Sequence, residues 1–375
     1  MKINDFKLER YFAAYEFRAK RLLSSSDCES LTINELLHMA DTECLELWHH
    51  LKVGYTESKG HPLLRDEIAG LYRNIKSDDV CVMAPEEGIF IALNVILDPG
   101  DHVIVTDPGY QSLAEIPESI GCEVTRWPLA AEGRRWKLDT DFLLKSVRKN
   151  TKLIVINFPH NPTGFIPEPD EFKRITEIAL ENNVLLFSDE MYRYLEFPGS
   201  ARHDSACDIS DSWISLSGLS KSFGLPGLRI GWLATRNRDV MRRIERFKDY
   251  TTICNSALSE IFGIIALRNR ERITGNNLKL VQANLQAAKL FFRRHEDLLT
   301  WIEPGGGSVA FPALSRGIAA DELCKRLIDQ KSIMLLPGSV FNYPGNHIRI
   351  GLGRKDFSTI LDEFEYFLNE YYFTI

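Results

Sequence analysis

Long apolar runs are missing from this sequence. No uninterrupted stretch approaches the ~18 residues of a membrane-crossing helix, and the start, Met1-Lys2-Ile3-Asn4-Asp5, lacks the apolar core of a secretory leader. These absences point to the cytoplasm and away from a membrane partner. Cysteine is thinly spread: seven residues at 28, 44, 81, 122, 207, 254 and 324, an odd count with no CxxC pair. That pattern argues against a disulfide framework or a structural zinc site and fits reduced thiols. Positive charge is not in excess either. The formal net charge is -7, which leaves no electrostatic footprint for nucleic acid. Basic doublets such as Arg242-Arg243 and Arg293-Arg294 have acidic neighbours and read as solvated helix faces. Internal repeats, low-complexity tracts and Gly/Ser linkers are absent, as are GxxxxGK[ST] and HExxH, so neither a P-loop nor a zinc-protease site is indicated.

What is present is an ordinary globular composition, 375 residues with 44% apolar and 26% charged, long enough for a large domain and a smaller one. Short β-branched runs at 80–83, 102–106, 122–127, 152–157, 184–188, 213–216 and 229–234 predict seven buried strands. Helical patterns at 87–97 and 170–182 lie between them. Alternation of this kind predicts an α/β fold, a mostly parallel seven-stranded sheet covered on both sides. After about residue 270 the pattern changes to one long helix at 277–295, a mixed α+β stretch with Gly305-Gly306-Gly307, and a closing helix at 357–372. The reading is a large domain over 36–276 and a smaller α+β domain built from both termini, 1–35 and 277–375.

An open parallel sheet binds ligands beyond the carboxyl ends of its strands, so polar residues just after strand-like runs are the ones to inspect. Asn161 lies in Asn157-Phe158-Pro159-His160-Asn161-Pro162-Thr163-Gly164. Asp189 ends another run, with Tyr192 three residues on. Lys221 sits in Ser217-Gly218-Leu219-Ser220-Lys221-Ser222, Arg229 follows it, and Arg349 lies in His347-Ile348-Arg349-Ile350-Gly351. Each has a bland alternative: a turn for Asn-Pro-Thr-Gly, a cap for Asp189, surface decoration for Lys221 and a salt bridge for Arg349. His160 reads as a loop-surface histidine, and the three glycines as a turn near the mouth of the site.

Their joint order is more specific. With the stretch 55–65 (YTESKGHPLLR), Pro99-Gly100-Asp101, Pro108-Gly109-Tyr110, Gly227-Leu228-Arg229-Ile230-Gly231 and Pro337-Gly338-Ser339, the set resembles the class I/II aminotransferases among fold type I pyridoxal-phosphate (PLP) enzymes, over nearly the whole chain. The resemblance implies pyridoxal 5'-phosphate as cofactor and a Schiff base on Lys221, whose freed amine shuttles a proton. It implies that Asp189 pairs with the pyridine nitrogen, that Asn161 and Tyr192 bond the ring oxygen, and that Tyr110 stacks on the ring. Arg229 and Ser220 would hold the phosphate, and Arg349 would clamp the substrate α-carboxylate with paired hydrogen bonds. Tyr55 would reach a neighbouring subunit's phosphate, which implies a homodimer with shared active sites. The partners implied are an amino acid and a 2-oxo acid.

Two departures fall on the phosphate site. The loop that opens the first large-domain helix reads Ala84-Pro85-Glu86-Glu87-Gly88, where the family favours small residues, and Gly218 stands where it favours serine. The amides of that helix start still suit an anion, but Pro85 has no N–H and Glu86 brings a charge of the wrong sign. The grip then leans on Arg229, Ser220, Tyr55 and the Glu86 and Glu87 amides. These features, with Ser26-Asp27-Cys28-Glu29-Ser30, also resemble a capreomycidine-synthase-like branch. An aminotransferase is the leading reading; a PLP-dependent lyase or cyclase is the alternative, and a non-catalytic PLP-fold sensor the remote one.

Overall fold

The computed structural model describes residues 2–315, 317 and 319–373. Its centre is an eight-stranded sheet, numbered β1 (Val80–Met83), β2 (His102–Asp107), β3 (Glu123–Glu132), β4 (Arg135–Leu138), β5 (Thr151–Asn157), β6 (Leu185–Asp189), β7 (Ile214–Gly218) and β8 (Gly231–Ala234). All seven predicted runs are strands. The eighth, β4, arises because β3 continues past the predicted end, turns at Gly133 with a positive φ of 61°, and pairs back antiparallel. Only alternate residues of β4 are buried, Trp136 and Leu138, so it lacks the continuous buried run that marks the strands other than β3.

The spatial order is β1-β8-β7-β6-β5-β2-β3-β4. From β7 to β3 the neighbours are parallel, and β8 runs antiparallel between β1 and β7. Both β1 and β7 oppose β8, so β1 points the same way as the parallel core. The carboxyl ends of β1, β2, β5, β6 and β7 therefore lie along one edge.

Helices cover both faces. Pro85–Ile96, which takes Pro85 at its first turn where a missing N–H costs nothing, packs Ile89, Ala92, Leu93 and Ile96 onto one face with Val103, Val155 and Leu216. Pro169–Glu181 covers the other with Ile175, Ile178 and Ala179, and starts at a Glu168/Glu171 capping box. Each such buried isoleucine, leucine or valine contributes about 1.5–3 kcal/mol, and the alanines less. Gly88 has to be small, since a Cβ there would stand 2.9 Å from Leu216 Cδ1.

The long helix is Arg270–Arg294, seven residues earlier in its start than the predicted 277. Gly275, Asn276 and Asn277 are weak helix formers, but burial of Ile273 and Thr274 overrides them. Its apolar side, Val281, Leu285, Ala288, Phe291 and Phe292, joins Phe357, Phe364 and Phe367 of the closing helix Phe357–Phe373 in a second core. A three-stranded antiparallel sheet, Val309–Ala310, Ile348–Gly351 and Leu336–Pro337, lies beside it.

The amino-terminal segment crosses between these parts. Helix Lys7–Tyr15 is tied to the large sheet's side by Gln111, whose Oε1 accepts from Lys7 N at 3.0 Å, and to the other side by Tyr11, whose hydroxyl donates to Leu335 O at 2.9 Å. Arg21–Leu22 then pairs parallel with Ile333–Met334. Residues 23–28 run against Ile348–Gly351 so closely that a Cβ on Gly351 would stand 1.8 Å from Ser25 O, and one on Gly353 2.2 Å from Asp27 O. Among the described residues no helix is long and apolar enough to cross a membrane, and no group of side chains suits a metal ion.

Gly351→Ala is expected to lower stability by more than ~2 kcal/mol, because the obstacle is backbone and not a movable side chain. Urea denaturation reads this as a lower midpoint. An unchanged midpoint would contradict the close approach.

Candidate active site

Asp189 is the last residue of β6, in register with Asn157 of β5 and Leu216 of β7. It is 5% exposed and accepts from Met191 N at 3.1 Å. Asn157 secures this corner twice: its Nδ2 donates to Asp189 O at 2.9 Å, and its Oδ1 accepts from Asn161 N at 2.8 Å. Burial pushes the Asp189 carboxyl up to about 7, against the pull of the Met191 amide and of Lys221. A carboxyl so placed is poised to ionise when a cation is set beside it.

Lys221 follows β7 by three residues. Its Nζ donates to Ser26 Oγ at 2.8 Å. Burial draws the ammonium below the ordinary lysine range, while Asp27 opposes the shift. Arg349, in the strand Ile348–Gly351, is fully buried. One of its terminal nitrogens donates to Asn161 Oδ1 at 3.2 Å and the other to Ser24 O at 2.9 Å. Its guanidinium lies 5.8 Å from the Phe12 ring and 5.5 Å from the Phe341 ring. No carboxylate pairs with it among the described residues, so burial pulls its pKa below the usual range. A buried cation in that condition calls for an anion.

Three buried polar atoms here lack a protein partner: Tyr192 Oη, Ser220 Oγ and Arg349 Nε. Buried donors are seldom left unmatched, and a set of three beside Lys221 and Asp189 fits a ligand with oxygens to offer. Tyr110, just beyond β2, packs its ring on Phe6 at 5.1 Å and points its hydroxyl to Glu9 Oε1 at 3.4 Å.

The two departures at the helix start prove to be one packing arrangement. A Cβ on Gly231 would meet Pro85 Cγ at 2.8 Å, and a Cβ on Gly218 would meet Gly231 Cα at 2.9 Å. The Pro85 ring thus lies over Gly231, and Gly231 leaves no room for a side chain at 218. Glu86 turns to Ser112, whose Oγ donates to Glu86 Oε2 at 3.3 Å, and burial pushes its carboxyl up to about 7. Glu87 accepts from Thr252 Oγ1 at 2.8 Å and Thr252 N at 3.3 Å, and from the Thr251 hydroxyl. Both glutamates are thus held by hydroxyls, and Glu86 is partly neutral at pH 7.

Lys221, Asp189, Asn161, Tyr192, Ser220, Tyr110, Glu86 and Arg349 are brought to one edge of the sheet. Two expected residues are not. Tyr55 is 91% exposed. Arg229 is exposed, adopts a left-handed φ of 54°, and donates to its own turn at Pro226 O, 3.1 Å. His160 corrects another expectation: it is buried, not a surface residue, with Nδ1 2.8 Å from Thr163 Oγ1 inside the Asn-Pro-Thr-Gly turn. That turn abuts the three-glycine turn, with Gly305 N donating to Gly164 O at 2.8 Å. Gly307 lies beside the buried Tyr192 ring. Sequence reasoning missed the roles of Asn157, Ser24 and Ser26. The one signal for the serines was a run of three directly after Leu22-Leu23, since polar residues at the end of an apolar stretch are often buried with a purpose.

The family model for class I and II aminotransferases matches residues 23–357. The chain belongs to that family. Its cofactor is pyridoxal phosphate, and it is an enzyme of the PLP-dependent aminotransferase kind. Among curated relatives it is 29% identical over 352 residues to capreomycidine synthase of Streptomyces vinaceus, covering 93% of this chain and 88% of that protein. Its fold matches a PLP-dependent aminotransferase from Streptococcus suis 89-1591 with a TM-score of 0.91, 28% identity and 99% of both chains covered. It also matches the PLP-dependent cyclase OrfR with a TM-score of 0.89 and 27% identity, over 99% of this chain and 98% of that one.

The raised Asp189 pKa sets a pH dependence for the cofactor-free protein. Unfolded, this carboxyl ionises near its usual value of about 4; folded, it holds its proton to about 7. The folded state thus binds more protons between those values, so stability falls as pH rises across the window and the penalty is complete above it. Cofactor-free Asp189→Asn protein is expected to be more stable than cofactor-free wild type at pH 8, by a few kcal/mol at most, and equal to it near pH 4. Denaturation curves across that range check it; a gap that widens toward acid would refute the assignment.

Proposed function

We propose that the enzyme exchanges an amino group between an amino acid and a 2-oxo acid, with Lys221 carrying the cofactor. The convergence of Lys221 Nζ, the buried Asp189 carboxyl and the anion-free Arg349 guanidinium on one sheet edge carries this reading. The orphaned Tyr192, Ser220 and Arg349 atoms fit the cofactor and its substrate. Pyridoxal phosphate, when bound, withdraws electrons from the substrate α-carbon and so makes its proton acidic.

The chain's own residues supply the rest. Asp189, in the ionised form that a neighbouring pyridine N–H favours, holds a proton on that nitrogen. Arg349 binds the substrate α-carboxylate, with Asn161 Oδ1 and Ser24 O fixing two of its nitrogens. Lys221, lowered by burial, is an amine that can take the α-proton and return it elsewhere; Ser26 Oγ orients its Nζ. Tyr192 and Asn161 address the ring oxygen, and Tyr110 covers the ring face. For the phosphate we assign the helix start at Pro85 and Glu86, where the Glu86 amide is available and Pro85 offers none, together with Ser220; Arg229 would join them only by leaving the Pro226 carbonyl that it now holds.

We further propose a homodimer with shared active sites. Val53, Tyr55 and Tyr250 are exposed on neighbouring loops. Those loops are tied together by Thr56 Oγ1 to Asn255 O, 3.2 Å, and by the buried Lys248, whose Nζ donates to Ser58 O at 2.7 Å and Ile253 O at 3.4 Å. An apolar surface on a rigid frame suits a subunit contact, and Tyr55 is then free to enter the neighbour's site. The division into 36–276 and the joined 1–35 and 277–375 is likewise a proposal. The second core, built mainly from residues 281–368 with Leu23 and Cys28, supports it, with Met191, Tyr192, Leu195 and Phe197 of the large part packed into the same core.

The likeness to capreomycidine synthase and to the cyclase OrfR favours a second reading, elimination or ring closure on the same scaffold. Product chemistry separates the two. With a nitrogen-labelled amino acid and a 2-oxo acid, transfer places the label in a new amino acid, whereas a lyase or cyclase leaves it in the starting skeleton or releases ammonia. Lys221→Ala should abolish either outcome, by at least ~10³-fold, and Arg349→Ala should weaken amino-acid binding by ~2–5 kcal/mol. Undiminished label transfer in Lys221→Ala protein would end the assignment.

A further inference from the structure

A lysine carries its amine on a flexible four-carbon stem, and a base on such a stem has to be aimed before it can act. Asp189 and Arg349 sit in strands, but Lys221 lies in the turn after β7, where no ladder holds it. Among the described residues its Nζ makes one hydrogen bond, donated to Ser26 Oγ at 2.8 Å. Ser26 is itself held fast. It is 9% exposed, and its carbonyl accepts from the fully buried Ser308 hydroxyl at 2.7 Å. Two residues on, Cys28 N donates to Lys221 O at 3.4 Å. A Cβ on Gly224 would stand 2.6 Å from Glu29 O and 3.2 Å from Cys28 O, so the segment is pressed against the whole Lys221–Gly224 turn. One short stretch of chain thus grips both the backbone and the side chain of Lys221.

A hydroxyl has one hydrogen to give and two lone pairs to receive. With Lys221 donating into Ser26, the Ser26 hydrogen stays free. Tyr192 faces it: burial raises the pKa of that phenol, and the Ser26 hydroxyl pulls it back. The ionisable groups around the Lys221 amine are Asp27 and Cys28 of the same segment, Glu9 and Glu16 of the amino-terminal helix and its end, Asp189 of β6 and Arg349. None of them hydrogen-bonds Nζ among the described residues. The group in contact is an uncharged serine.

We propose that Ser26 is the positioning residue of the base: its hydroxyl takes one N–H of Lys221, which turns the lone pair of the neutral amine away from the amino-terminal wall, and it offers its own hydrogen to Tyr192. This deepens the reading of Lys221 as the amine that carries the cofactor, and it rests on that reading. An amine anchored by one N–H keeps its lone pair in a narrow range of directions, whereas an unanchored one spreads it over many rotamers. The same contact stabilises the ammonium form, because a charged donor gains more from an acceptor than a neutral one does. Ser26 therefore acts on Lys221 in two separable ways, on its aim and on the pH at which it loses its proton.

Both are read without knowing the substrate, by adding pyridoxal phosphate to cofactor-free protein and following its absorbance between pH 6 and pH 10. The neutral amine attacks the aldehyde carbon and water leaves, so the rate rises as Lys221 loses its proton. The phosphate's own titration is common to all variants and cancels between them. Ser26→Ala removes an acceptor from the ammonium, and its midpoint is expected to fall by about one pH unit. Its limiting rate at high pH is expected to fall by ~10-fold, because the aim is lost. Ser26→Thr, which keeps the hydroxyl, should restore the midpoint. Ser25→Ala trims the neighbouring buried serine and should match wild type, with the fold of each variant checked by circular dichroism. A Ser26→Ala profile that superposes on wild type, a midpoint that Ser26→Thr leaves displaced, or a Ser25→Ala profile that shows the same shift overturns the proposal. Borohydride reduction of loaded wild-type protein and mass analysis of its peptides separate this from the underlying reading. A pyridoxyl group on Lys221 beside a superposed Ser26→Ala profile overturns the role of Ser26 alone; a pyridoxyl group on another lysine overturns both.

Discussion

The active site depends on how closely the amino-terminal segment can approach the strand Ile348–Gly351. Ser25 and Asp27 carbonyls lie where side chains at 351 and 353 would have to be, and glycine at both positions is what permits the contact. From that contact follow the Ser24 carbonyl on Arg349, the Ser26 hydroxyl on Lys221 and the Asp27–Arg354 pair. Residues 195 to 327 apart in sequence thereby share one set of hydrogen bonds. The parallel sheet places Asp189 and Lys221; the amino terminus completes the cleft around them.

Charge balance is the second organising fact. Asp189 and Glu86 are carboxyls that burial holds near neutrality, while Lys221 and Arg349 are cations that burial weakens. A cleft built this way is under-compensated in every direction, and it gains from a ligand that is itself multiply charged. Pyridoxal phosphate, with a ring nitrogen, an aldehyde and a phosphate, is such a ligand. The same logic explains how a glutamate at 86 is tolerated beside a helix start: hydrogen-bonded to Ser112 and partly neutral, it does not oppose an anion as an exposed carboxylate would.

Much of the large sheet was legible because most of its strands are buried on both faces and read as continuous buried runs; β3, buried only at Trp127 and Leu129, is the exception. β4 was not, since only alternate residues are buried and a turn at Gly133 joins it to β3. The start of Arg270–Arg294 was hidden by Gly275, Asn276 and Asn277, whose poor propensity is overridden by packing that no local pattern reveals. At the site, residues that follow strand ends could be found from position alone. Asn157, Ser24 and Ser26 could not, because their importance comes from partners distant in sequence. The Gly218 and Pro85 departures looked like two losses from the phosphate grip. In three dimensions they are one accommodation, a proline ring stacked over Gly231 with no space left behind it.

Lys248 gives the exposed loops a property of their own. A fully buried ammonium that grips the carbonyls of Ser58 and Ile253 fixes both loops in the isolated subunit. Two copies meeting through Val53, Tyr55 and Tyr250 would then surrender little backbone freedom on contact. Rigid faces of this sort convert a modest contact area into durable association, so pairing of subunits would resist dilution better than the size of the patch alone suggests.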